Sequence, residues 1–98
     1  MSKKYAALSF DDGHSNVTSK VLDILENNKV PGTFFIIGEH IGDEFNSREL
    51  FKRQLSLGCE IGNHSLTHSH MSELTAEQIR NEISTTTNLI REYAGVEP

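Results

Sequence analysis

The sequence predicts an α/β chain with a parallel sheet of about three strands, and three observations carry that expectation. Short apolar runs at 5–10, 33–37 and 59–62 alternate with longer segments of helical period at 17–25, 46–58 and 75–95. Capping or turn residues mark each switch of period. The 98 residues suit one small domain, and strands that alternate with helices of this length imply right-handed crossovers between parallel strands.

The run 5–10 ends at a charged turn and reads as a strand buried on both faces. Ser15 or Asn16 can cap the first helix, whose apolar stripe is Val17, Val21, Ile24 and Leu25, and Pro31-Gly32 stops the chain after it. Residues 33–37, rich in β-branched and aromatic side chains, form the second strand. A loop over 38–45 leads to Asn46, which with Glu49 makes a capping-box pattern for a helix closing at Gly58, with Leu50, Phe51 and Leu55 inward. Residues 59–62 are a third, very short strand, followed by a histidine-rich loop at 63–72. Thr75 and Gln78 supply a second capping box, and Ile79, Ile83, Thr86, Ile90 and Tyr93 trace one face of a long helix ending at Gly95. Three parallel strands leave two open edges, so the chain reads as unfinished. Self-association or a missing C-terminal half is expected to cover one of them.

Nine Lys and Arg against fourteen Asp and Glu give a net charge of -5, with the acids spread along the chain. This is not the basic footprint of a nucleic-acid partner. Cys59 is the only cysteine, which excludes an internal disulfide framework. Lys3 and Lys4 precede an apolar run that Asp11 and Asp12 end well short of a leader's core, and no run approaches the ~20 residues of a membrane span. No membrane partner is expected. As written the chain is expected in the cytoplasm, or outside the cell if a leader was removed.

Functional groups in parallel α/β architectures sit at the C-terminal ends of strands. Two polar constellations fall there: Asp11-Asp12-Gly13-His14 after the first strand and Asn63-His64-Ser65-Leu66-Thr67-His68 after the third. Two histidines four apart lie on one face if the loop makes a helical turn, and both imidazoles can then reach one metal ion. Such a pair also arises by chance, and Asp-Gly is a common turn former. Adjacent carboxylates at a strand end, however, ask for a cation or a proton. Two His and one Asp leave positions open for water and substrate, as in a catalytic site. His14 and His70 adjoin the two motifs and are expected on the surface or around the ligands; His40 reads as a loop residue, and Phe34 and Phe35 as core.

Ser9-Phe10-Asp11-Asp12-Gly13 and His64-Ser65-Leu66-Thr67-His68 resemble the first two motifs of the polysaccharide deacetylase family, T-F-D-D-G and H-[S/T]-x-x-H. Between them Gly32-Thr33-Phe34-Phe35-Ile36-Ile37-Gly38 resembles the family's A-T-F-F strand, and 58–63 its approach to the second motif, so the likeness spans nearly the whole chain. It implies the first half of a distorted (β/α) barrel, incomplete in this chain, with residues 1–98 as the N-terminal part of the catalytic domain. It implies Asp12, His64 and His68 as metal ligands, Asp11 as the catalytic base and Ser65 as a supporting residue. Ser9 stands where Thr is usual, Cys59 where His is frequent and Ser69 where Pro is common; none touches an implied ligand.

The activity implied is metal-dependent removal of N- or O-acetyl groups from a peptidoglycan-, chitin- or xylan-type carbohydrate. The ion would be zinc, with cobalt, nickel or iron as alternatives. The family's Arg-Pro motif and its distal Asp and His motifs have no counterpart before Pro98, so the general acid and part of the oxyanion site are not expected in this chain. Two other readings remain open here: a metal-binding fragment or assembly module without turnover, and a related amide or formyl hydrolase on the same scaffold.

Overall fold

The computed structural model describes residues 3–98. Three parallel strands, β1 (Ser9–Gly13), β2 (Thr33–Ile36) and β3 (Glu60–Asn63), lie side by side in chain order. The helices α1 (Thr18–Asn28), α2 (Ser47–Ser56) and α3 (Ala76–Ala94) follow them in turn. Both βα crossovers return to an adjacent parallel strand, as the alternating periods predict.

Residues Phe10, Phe34 and Ile61 stand in one row across the sheet. Phe34 and Ile61 join Ile36, Leu22, Leu25, Leu50, Phe51 and Ile90 in one core, which gathers all three helices on a single face. The opposite row, Asp11, Phe35 and Gly62, is half-buried or exposed. The expectation of a strand buried on both faces is therefore corrected: the sheet has one covered and one open face.

Several boundaries shift for identifiable reasons. The first strand begins at Ser9 rather than at residue 5, because pairing starts where β2 starts: Thr33 N–H donates to Leu8 O, and Ser9 faces Thr33. Among the described residues no strand pairs with Tyr5, which is 87% exposed. The Asp pair consequently lies within β1 rather than in a turn after it. On α1 the sequence offers two overlapping apolar faces, and packing selects Thr18, Leu22 and Leu25 while Val17 and Ile24 stay exposed. On the outer side Arg53 of α2 reaches Asp23 at 2.6 Å and Glu26 at 2.9 Å, a surface contact between the two helices. Asn46 makes no capping box; it takes a left-handed backbone (φ 57°), and Gln54 joins Leu50 and Phe51 on the buried face of α2, with Leu55 half-buried against the core. The box at Thr75 and Gln78 forms in both directions. On α3 the buried positions are Glu82, Thr86 and Ile90, with Ile83 half-exposed.

Behind the Asp pair, His14 is fully buried. Its Nδ1 lies 3.0 Å from Ser47 Oγ and its Nε2 3.1 Å from Gln54 Oε1, and its ring packs edge-on against Phe51 at 4.4 Å. A neutral ring that donates from Nε2 to the Gln54 carbonyl and accepts at Nδ1 from the Ser47 hydroxyl satisfies both nitrogens. Burial pushes its pKa down to about 4 against the partial support of Gln54, and nearby His40 lowers it further. Above pH 6.5 the ring is neutral folded or unfolded, so it adds no pH dependence there. As pH falls from 6.5 toward 4 only the unfolded chain takes up the proton, and stability falls by roughly 3 kcal/mol over that window. Urea midpoints measured across it should decline in the wild type and flatten in His14→Gln; parallel declines would contradict this assignment.

Candidate metal centre

Asp12 occupies a bulge of β1, between the positions where Asp11 faces Phe35 and Gly13 faces Ile36. Its φ is 71°, a left-handed conformation that Asp, Asn and His adopt more readily than other non-glycine residues. The bulge separates the neighbouring aspartates. Asp11 keeps the strand's alternation and stands on the open face, whereas Asp12 turns its carboxylate toward the end of β3.

The second motif arrives from β3 without a helical turn. Ser65 (φ 67°) and His68 (φ 63°) are both left-handed, and these two reversals bring His64 and His68 together, with ring centroids 5.2 Å apart. The helical geometry expected from their spacing is thus replaced by a tight loop. Backbone bonds hold its first half: His64 N–H donates to Ile36 O, Gly38 N–H to Ser65 O and Glu39 N–H to Leu66 O. Within the loop, Ser65 N–H donates to Asn63 Oδ1 and His68 N–H to Ser65 Oγ. Ser65 is therefore a supporting residue in its geometry.

Gly38 makes this approach possible. A Cβ there would lie 2.4 Å from Thr86 Oγ1 and 2.7 Å from Leu66 Cδ1, so only glycine lets the turn after β2 (Gly38–His40) wedge between the loop and α3. Gly62 plays a similar part, because a Cβ there would overlap the Phe35 ring.

The outcome is a three-residue cluster. Asp12 Oδ1 lies 3.0 Å from His64 Nε2 and 3.4 Å from His68 Nε2, and one donor atom from each residue falls within 4.8 Å of the others. Ligand bonds of about 2.0–2.1 Å would set the donors of a tetrahedral ion roughly 3.3 Å apart, so this donor set fits a divalent cation in spacing and chemistry. The Asp12 and His68 side chains are more than half exposed and leave the outer side of the cluster open. A cavity of about 530 Å³ adjoins it, lined by Asn63, His64, Ser65, His68, His70 and Ile83 among others. Asp11 stands outside the cluster.

Two further residues bear on the cluster. His40 Nδ1–H donates to the Asp12 carbonyl at 2.8 Å, so the residue expected to be plain loop fastens the bulge. Glu82 Oε1 accepts from both Thr67 N–H at 3.0 Å and Thr67 Oγ1–H at 2.8 Å. Glu82 had a visible signal in the sequence: it falls inside the apolar stripe of α3, between Ile79 and Thr86, where an acid is out of place. His40 carries no such mark.

A profile of the polysaccharide deacetylase family matches residues 1–98. The chain belongs to the polysaccharide deacetylase family. A bifunctional xylanase/deacetylase of Pseudobutyrivibrio xylanivorans is 45% identical over 95 residues, which is 97% of this chain and 15% of that protein. Among solved structures, the Xyl-CE4 domain of a multidomain xylanase from the hindgut metagenome of Trinervitermes trinervoides superposes with a TM-score of 0.88 at 45% identity, over 93% of this chain and 43% of that one. A family 4 acetyl xylan esterase from Clostridium thermocellum, solved in complex with a cobalt ion, gives 0.86 at 40% identity, over 94% and 44%. This polysaccharide deacetylase chain thus spans less than half the length of these relatives, and its parallel βα units match part of the larger fold. Among the described residues no helix is long and apolar enough to cross a membrane.

Proposed function

We propose that the chain supplies the metal-binding and base-bearing part of a carbohydrate deacetylase. The observation that carries this reading is the meeting of one carboxylate oxygen and two imidazole nitrogens beside an open cavity, with a second carboxylate one residue away. Asp12, His64 and His68 would hold one divalent ion. Zinc is the first choice for a His₂Asp set, and the cobalt ion in the Clostridium thermocellum relative supports a divalent site. When bound, the ion would polarise the acetyl carbonyl and make a bound water more acidic.

Asp11 takes the water's proton. The water oxygen bonds to the acetyl carbon, the bond from that carbon to the sugar nitrogen or oxygen breaks, and the leaving atom takes up a proton that balances the one Asp11 removed, from a general acid outside the two motifs, to give acetate and a free amine or hydroxyl. The half-buried His64 keeps one side of the ligand set fixed, while the exposed side admits a polymer. The xylan-linked relatives favour an acetylated xylan as substrate, with chitin- and peptidoglycan-type sugars as the other candidates.

Acetate release from acetylated xylan and from N-acetylglucosamine oligomers, before and after chelation and after zinc or cobalt is restored, tests the reading. Release that stops on chelation and returns with the ion is expected. Release indifferent to chelation would sink it. A chain that binds the ion but releases no acetate would instead be a metal-binding module.

A further inference from the structure

We propose that Glu82 is a positioning residue for the metal ligand His68, acting through Thr67. The inference rests on the metal reading above and extends it to a residue outside both motifs.

Glu82 is only 6% exposed, and among the described residues no Lys, Arg or His pairs with it. A buried carboxylate without a cation is costly, so its placement needs a compensating interaction. What it has is Thr67: a single oxygen, Oε1, accepts both the backbone N–H and the hydroxyl of the residue directly before His68. The rest of the loop is held elsewhere, Ser65 and Leu66 by the Gly38 turn and Asn63 by Ile83 O and Thr87 Oγ1 of α3. Among the described residues, the tether that reaches Thr67 from another element is Glu82. His68 itself is left-handed, a conformation that histidine adopts more readily than most residues but still at a cost, and Ser65 Oγ holds its N–H from within the same loop. With Thr67 released, the backbone relaxes toward negative φ, and the His68 imidazole swings away from Asp12.

The test is cobalt affinity of the 98-residue chain by chelator competition, read together with the visible absorption of the bound ion and with circular dichroism as a folding control. Glu82→Ala is expected to bind cobalt roughly 10–100-fold more weakly, the cost typical of losing an outer partner of a ligand, with an altered absorption band. Glu82→Gln keeps an acceptor oxygen of the same reach and should restore most of the affinity, whereas Glu82→Met, which fills similar space without an acceptor, should bind as weakly as Glu82→Ala; a packing role would have both restore it. Should Glu82→Ala fail to fold, Thr67→Val removes one of the two hydrogen bonds and should cost about tenfold. Variants that fold and bind cobalt as the wild type does, with an unchanged band, overturn the positioning role alone; a wild type that takes up no cobalt overturns the metal reading with it.

Discussion

In a complete enzyme that carries this chain, Asp11→Asn is expected to leave the proposed divalent ion bound and to lower the rate of acetate release by roughly 10²–10⁴-fold, the usual contribution of a general base. The expectation follows from the bulge in β1. Asp11 pairs with Phe35 in regular register and stands on the open sheet face, outside the cluster of donors. An asparagine there keeps size and polarity but cannot accept the water's proton. Metal content by elemental analysis and turnover of an acetylated oligosaccharide, measured on the same preparation, should therefore separate: content near wild type, rate greatly reduced. Loss of metal from Asp11→Asn would place the ion on the wrong aspartate.

Asp12→Asn has the opposite signature. Asp12 Oδ1 lies within 3.4 Å of both imidazole Nε2 atoms, so it joins the two motifs. A neutral amide is a poorer ligand for a dication, and the two histidines left behind come from a single loop. Affinity should fall by more than the roughly 10–100-fold that an outer partner costs, and catalysis falls with it. The fold should survive, because the Asp12 side chain is exposed and its carbonyl still accepts from His40. Thermal midpoints recorded without metal should match the wild type, while midpoints with added zinc should rise only in the wild type, since a ligand that binds the native state stabilises it. Equal rises in both proteins would remove Asp12 from the site.

The order of elements was legible because hydrophobic period is a local property: the switches at residues 15, 33, 46, 59 and 75 mark the elements of the structure to within a few residues. What is decided between elements was not. The start of β1 depends on where β2 begins, and the rotation of α1 depends on its packing, so the structure departs from the expected start at residue 5 and from Val17 and Ile24 as inward positions, while Val21 and Leu25 do face the core. Asp12, His64 and His68 could be singled out because chemistry of that kind at two strand ends is visible in a motif. Their convergence through the left-handed backbones of Asp12, Ser65 and His68 leaves no such mark in residue type. The burial of His14 and the reach of Glu82 to Thr67 are tertiary facts of the same kind, although an acid inside an apolar stripe was a signal to be read.

The most direct measurement of the central claim is the titration of the chain with zinc, followed through the imidazole resonances of its five histidines. The account predicts saturation at one ion per chain, with the large shifts confined to His64 and His68, a lesser one at His40 through Asp12, and His14 and His70 little changed. Saturation through His70 or His14, or no saturable change at any histidine, would contradict it.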